Sequence, residues 1–227
     1  MAVTAHDVAQ VLPDIATLRD RCRALAMLDA IMSPEWAFRY YSFDSRWAPG
    51  EEMASMRNGS GDGYSIVFSP AGVFVRGFAH ESPMSPARNG LLWPGLVDSV
   101  PEVFSAQVHE PAFTFKGVLE ATVCLWRQPG DDRWQVGDID LPGHGDSDGA
   151  DRLFKVLIDS TPMGYQHFAD DYYETSVDVE AVGEVLALRP LTDDLVHRLN
   201  PRATTNDLAE DLAEIGYPSP PRTRSDA

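Results

Sequence analysis

Apolar residues recur at helical spacing near the start of the chain, over residues 14–32. They follow one another at steps of three and four, and they are Ile15, Leu18, Cys22, Leu25 and Leu28. This period predicts an amphipathic helix with one apolar face against a core. Asp14 stands at its start, and Pro34 ends the pattern because the residue before a proline avoids helical geometry. The aromatic residues of the next segment, 36–43, predict a strand.

Two β-hairpins are predicted in the middle of the chain. The first joins residues 64–68 to residues 73–78, and the second joins residues 121–127 to residues 134–139. Each pair of segments is rich in β-branched and aromatic residues, and each is connected by a short stretch that contains proline and glycine. These segments predict an antiparallel sheet.

The pattern after the second hairpin is helical. Helices are predicted over residues 151–160, 162–174, 178–188, 192–199 and 206–215. Strands followed by a run of helices predict an α+β fold, with a small antiparallel sheet built from hairpins and covered by an N-terminal helix and a C-terminal run of helices. We expect residues 1–217 to form a single domain and the proline-rich residues 218–227 to be a disordered tail.

Charge narrows the classes of partner. The net charge is −17, and it is uneven: residues 1–130 contain 14 acids and 10 Lys or Arg, whereas residues 131–227 contain 21 acids and 8 Lys or Arg. A nucleic acid or an anionic membrane would be repelled by the second half, so direct binding to either is not expected. A basic protein, a metal ion or a cationic ligand fits this charge, and so does an acidic protein whose charge only keeps it in solution.

The cysteines and the N-terminal residues bear on the compartment. Cys22 and Cys124 stand far apart in apolar contexts, which predicts buried free thiols. Asp7 and Asp14 interrupt any apolar run of the kind found in a signal peptide, and no stretch reaches the roughly 20 apolar residues that span a bilayer. We therefore expect a cytoplasmic protein.

The strongest functional signal is a segment of 33 residues, 156–188, that contains no lysine or arginine. Its carboxylates are Asp159, Asp170, Asp171, Glu174, Asp178, Glu180 and Glu184. Such a surface attracts basic partners. We predict a protein-binding face with charge contacts at Asp170, Asp171, Glu174, Asp178 and Glu180, and with Tyr173 as an aromatic anchor. The alternative is a solvated helical face without a partner.

An aspartate-rich loop over residues 138–151 supports a different hypothesis, a metal-dependent hydrolase or a calcium-binding protein. Its candidate ligands for Ca²⁺ or another divalent metal are Asp138, Asp140, His144, Asp146 and Asp148. The spacing does not fit an EF-hand, because Lys155 falls where a bidentate glutamate belongs. The alternative is a glycine turn followed by carboxylates at a helix N-terminus, where the helix dipole favours them. No other cofactor is predicted.

A third hypothesis places a small-molecule site at the loops 51–63 and 80–95, with Arg57, His80 and Glu81 as candidate residues. The glycines of residues 58–63 lead into a strand rather than a helix, so they do not match a phosphate-binding loop. No nucleophile motif is present, and no catalytic residue is predicted.

Five short segments carry a resemblance to known sequences: residues 40–47 (YYSFDSRW), 53–62 (MASMRNGSGD), 77–82 (GFAHES), 93–95 (WPG) and 134–138 (WQVGD). With these segments the chain resembles an uncharacterised family of bacterial cytosolic proteins. The resemblance covers about residues 35–200, and it implies no activity for any residue. In general style the family is similar to immunity proteins of bacterial toxin systems, which are acidic, α+β and without a catalytic signature. The resemblance therefore implies a protein-binding role of the immunity or antitoxin type.

Overall fold

The computed structural model describes residues 3–143, 145–159 and 161–218. The strands of this part are β1 (Tyr41–Ala48), β2 (Glu51–Arg57), β3 (Gly63–Ser69), β4 (Gly72–Phe78), β5 (Thr114–Phe115), β6 (Val118–Leu119), β7 (Val123–Arg127) and β8 (Gln135–Val136). Six of them form one antiparallel sheet in the order β1-β2-β3-β4-β7-β8, and β5 pairs only with β6. Both predicted hairpins are confirmed, as β3–β4 and β7–β8.

The described residues also form eight α-helices. They are α1 (Ala5–Val11), α2 (Ile15–Met32), α3 (Ser105–Val108), α4 (Ala150–Ile158), α5 (Pro162–Tyr172), α6 (Val179–Leu186), α7 (Asp193–Leu199) and α8 (Ala209–Ile215). Asp14 accepts a hydrogen bond from the backbone N–H of Thr17 at 3.0 Å and begins α2, and Thr161 caps α5 in the same way. The predicted α+β class is confirmed, with helices from both ends of the chain around a sheet of hairpins.

Helices and a long connection cover opposite faces of the sheet. Arg19 and Arg23 of α2 lie over the rings of Phe68 and Phe43, which places α2 on one face. On the other face Phe74 of β4 contacts Phe104, at 6.1 Å between ring centroids. The central strands β3 and β4 are therefore buried on both sides, and they contribute to one continuous hydrophobic cluster.

Two segments differ from the sequence-based expectations. Strand β2 was not predicted, because its polar residues give little apolar alternation and several of its side chains are only half buried. The strand predicted at 36–43 begins later: Trp36–Phe38 form a 3-10 turn, and β1 starts at Tyr41. The Trp36 and Phe38 side chains of this turn are exposed.

Strand β1 is one edge of the sheet, and α8 packs beside it. Arg39, just before β1, forms an ion pair with Asp211 of α8, and Tyr217 after α8 donates a hydrogen bond to the carbonyl oxygen of Arg189 at 2.9 Å. These contacts hold α8 against the domain. Apart from Pro218, the predicted tail of residues 218–227 lies outside the described residues.

Both cysteines are free and buried, as predicted. Burial raises the pKa of the Cys22 and Cys124 thiols to about 12, so that neither is a nucleophile near neutral pH. Within the described ranges, no helix combines the length and the apolar character needed to cross a membrane.

Candidate functional site

The acidic segment divides into two parts in space. Asp170 and Asp171 lie at the end of α5 and Glu174 follows it, and all three side chains are exposed. Glu174 has a φ of 52°, in the left-handed region, where the chain turns away from the helix. In the described part of the protein, no lysine or arginine lies within 4.0 Å of these three carboxylates. This part keeps the predicted unpaired negative charge.

The three carboxylates of the second part share one cation, Arg198 of α7. Its guanidinium forms ion pairs with Asp178 at 2.9 Å, Glu184 at 2.7 Å and Glu180 at 3.5 Å. Asp178 also caps α6 through the backbone N–H groups of Glu180 and Ala181, and the Arg198 hydrogen bond lowers the pKa of Asp178. The predicted partner residues Asp178 and Glu180 therefore have an arginine beside them, unlike Asp170, Asp171 and Glu174, and Asp178 also has a role in the fold as a helix cap.

Tyr173 does not present an exposed ring. Its side chain is half buried, and its hydroxyl oxygen is buried beside Asp29 without a well-aligned hydrogen bond. This burial argues against the predicted role of Tyr173 as an anchor. The neighbouring Tyr172 is 39% exposed.

Asp29 is a fully buried carboxylate at the centre of this region. It accepts hydrogen bonds from the backbone N–H groups of Tyr40 and Tyr41, at 2.8 and 2.7 Å, and from the Tyr165 hydroxyl at 2.8 Å. Burial raises the pKa of Asp29 to about 6, although these hydrogen bonds oppose the shift. The carboxylate thereby fixes the start of β1 and α5 to α2. Asp29 is not among the residues predicted from the sequence, where its one signal is an acid between Leu28 and Ala30 in an otherwise apolar stretch.

Exposed aromatic side chains surround a depression next to this network, which we call the aromatic depression. It has a volume of about 560 Å³ and is lined by Met32, Ser33, Pro34, Glu35, Phe38, Tyr172 and Tyr173. Phe38 is 62% exposed, and the Tyr172 hydroxyl donates a hydrogen bond to the Phe38 carbonyl oxygen at 3.3 Å. The Tyr172 and Tyr40 rings meet edge to face at 5.0 Å between centroids. These contacts hold the Tyr172 ring beside the turn that carries Phe38.

The Arg57 and His80 side chains lie in different surroundings. The Arg57 guanidinium lies 3.8 Å from the centroid of the Trp36 ring and donates a hydrogen bond to the Trp36 carbonyl oxygen at 2.7 Å. The backbone N–H of His80 donates a hydrogen bond to Asp62, and His80 lines a cleft. Glu81 is exposed and does not line that cleft. The predicted group of Arg57, His80 and Glu81 is not assembled.

The aspartates of the 138–151 loop hold the backbone and an arginine. Asp148 is buried and accepts hydrogen bonds from the N–H groups of Ala5 and Ala150, at 2.7 and 3.0 Å. Asp146 forms an ion pair with Arg152 at 2.6 Å. Asp138 and Asp140 are exposed, and His144 lies outside the described residues. Among the residues that are described, no group of three or more His, Cys, Asp or Glu side chains is arranged to hold a metal ion.

Compared with protein-family models, with curated proteins and with solved structures, the chain matches none of them. The resemblance to an uncharacterised bacterial family stays a prediction.

Proposed function

We propose that the protein is a protein-binding module that engages a basic protein partner through the aromatic depression and the carboxylates around it. The observation that carries this proposal is the pair of exposed rings, Phe38 and Tyr172, at a depression that Glu35 also lines. Asp171 precedes Tyr172 in the chain, and Asp170 and Glu174 are each two residues from Tyr172. Exposed aromatic side chains close to unpaired charges of one sign are typical of interface anchors.

Charge supports a basic partner. Glu35, Asp170, Asp171 and Glu174 are exposed, and in the described residues none of them has a lysine or arginine within 4.0 Å. These carboxylates would steer a basic surface and pair with its arginines, while the Phe38 and Tyr172 rings provide contact area at little cost in side-chain entropy. The net charge of −17 also disfavours a nucleic acid as the partner. An immunity or antitoxin-like role is the more specific form of this proposal.

Charge reversal at Asp170, Asp171 and Glu174 tests the proposed binding of a basic partner. Partners captured at low salt from a native lysate are identified and purified, and their affinities are measured for wild type and for Asp170→Lys/Asp171→Lys/Glu174→Lys. We expect the variant to bind the true partner at least about 30-fold more weakly, with a flatter salt dependence, because it loses both attraction and steering. The matched control is Asp98→Lys/Glu102→Lys/Asp132→Lys, which makes the same change in net charge at exposed positions elsewhere.

If the partner binds at this surface, then Phe38→Ala must also weaken its binding, because this substitution removes an exposed ring without changing the charge. Equal binding by the charge-reversal variant and its control would contradict the proposal, because the interaction would then depend only on net charge. An immunity or antitoxin-like role predicts two further results. Expression of the partner alone must inhibit growth, and co-expression of this protein must restore growth.

A further inference from the structure

A second surface of the molecule has the opposite electrostatic character. It is a cleft of about 740 Å³ between the turn at residues 86–90 and the β5–β6 hairpin. Its walls combine polar and apolar side chains, including His80, Pro86, Arg88, Phe115, Lys116 and Val118. A cleft of this size fits a small organic molecule.

Cations gather at this cleft although the protein is strongly acidic. The chain contains 35 Asp or Glu and 18 Lys or Arg, yet Arg88 and Lys116 line the same cleft. In the described part of the chain, neither has a carboxylate within 4.0 Å. Among the described residues of the lining Glu120 is the one acid, and Arg76 donates a hydrogen bond to its backbone carbonyl oxygen. Arg88 and Lys116 against the one carboxylate of Glu120 leave the lining with a net positive charge.

Lys116, in the turn of the β5–β6 hairpin, has an uncommon backbone conformation. Lys116 has a φ of 51°, which is unfavourable for a residue with a side chain, and Gly117 follows with a φ of 80°. The turn places the Lys116 ammonium 5.2 Å from the centroid of the Phe115 ring. Phe115 is 60% exposed at the same cleft. A positive charge and an apolar ring are therefore offered side by side.

We propose that this cleft binds a small organic anion, a carboxylate or a phosphate monoester attached to an aromatic or acyl group. Arg88 and Lys116 pair with the anionic group, and His80 supplies a further hydrogen-bonding side chain. The apolar part of the ligand packs on Phe115 and Val118. This site is separate from the aromatic depression and does not depend on the proposed protein partner.

The test uses phenyl phosphate and phenylacetate as probes, with inorganic phosphate and benzylamine for comparison, and follows amide chemical shifts of the full chain by NMR. We expect one or both aromatic anions to shift the amides of residues 80, 87–90 and 115–120. Inorganic phosphate should bind at least about 10-fold more weakly than phenyl phosphate, because it lacks the apolar part, and benzylamine should leave these amides unchanged. The response to phenyl phosphate relative to phenylacetate distinguishes a phosphate ligand from a carboxylate ligand.

Arg88→Glu and Lys116→Glu, made separately, should each weaken binding of the responsive probe at least about 10-fold. Both side chains are exposed, so the fold should be retained, and far-UV circular dichroism checks this. The matched control is Arg133→Glu, an equal change of charge at an exposed residue just before β8, near the opposite end of β7 from the cleft. Shifts confined to other residues, equal binding of benzylamine, or equal losses in all three variants would overturn the proposal.

Discussion

Replacing Asp29 with alanine is expected to lower the free energy of unfolding by about 3–5 kcal/mol. The substitution removes the acceptor for the N–H groups of Tyr40 and Tyr41 and for the Tyr165 hydroxyl, all close to the buried carboxylate. Unpaired buried donors cost about 1–3 kcal/mol each, and water entering the new space recovers part of that loss. Urea unfolding of wild type and variant at pH 7 measures the difference, with fluorescence and circular dichroism as independent probes.

Asp29→Asn is the matched control, because it has nearly the same shape and keeps one acceptor oxygen. It also removes a titrating group whose pKa burial raises from 3.8 to about 6. The folded protein therefore binds this proton more tightly than the unfolded chain does. The stabilisation from Asp29 is complete below about pH 4 and is lost as the pH rises through about 6.

Relative to Asp29→Asn, the wild type should therefore lose about 2 kcal/mol of stability between pH 4 and pH 7. Comparing unfolding curves of the two proteins at several pH values cancels the titration of other groups. A constant difference across this range would show that Asp29 is ionised at all of these pH values in the folded state. A loss below about 1 kcal/mol in Asp29→Ala would show that the three donors find other partners.

Gly95→Ala is expected to destabilise the protein by about 4 kcal/mol. Gly95 has a φ of 82°, and a Cβ atom there would lie 2.1 Å from the carbonyl oxygen of Asp138. Gly137 approaches from the other side, since a Cβ atom on it would lie 2.3 Å from the Gly95 carbonyl oxygen. Two backbone segments therefore meet where neither tolerates a side chain.

Gly90→Ala separates the cost of backbone strain at a positive φ from the cost of the steric clash at the new Cβ atom. Gly90 has a similar φ of 74°, but no atom lies within 4 Å of the position that its Cβ atom would occupy, so only the backbone preference is lost, at about 1–2 kcal/mol. Chemical denaturation of the three proteins gives both differences. If Gly95→Ala and Gly90→Ala lower the free energy of unfolding equally, then the backbone around Asp138 moves aside easily. In that case its close approach to Gly95 does not fix the position of the aspartate-rich loop.

The fold could be predicted where local pattern and tertiary environment agree. Helix α2 and the β3–β4 hairpin have clear periods and clear turn residues, so sequence alone located them. Strand β2 could not be found this way, because it is held by pairing with β1 and β3 rather than by its own apolar residues. The 3-10 turn at Trp36–Phe38 was mistaken for a strand, since aromatic side chains favour strands but here they are exposed.

The candidate surface was predictable only in part. The run of carboxylates identified Asp170, Asp171 and Glu174, but Arg198 is 14 to 20 residues from its partners Glu184 and Asp178, and only the packing of α7 on α6 brings them together. Tyr173 follows the last residue of α5, where helical phase no longer determines which way a side chain points. Phe38 lies more than a hundred residues from Tyr172, so their meeting at one depression depends on the tertiary fold.

The position of α8 has a consequence for how the chain is made. Strand β1 lies at the edge of the sheet, and unpaired edges are templates for association with other chains. The helix that packs beside it is the last one of the described chain, held by Asp211 to Arg39. During synthesis the sheet therefore emerges long before its neighbour, and the nascent chain passes through a stage in which β1 is open to strand exchange.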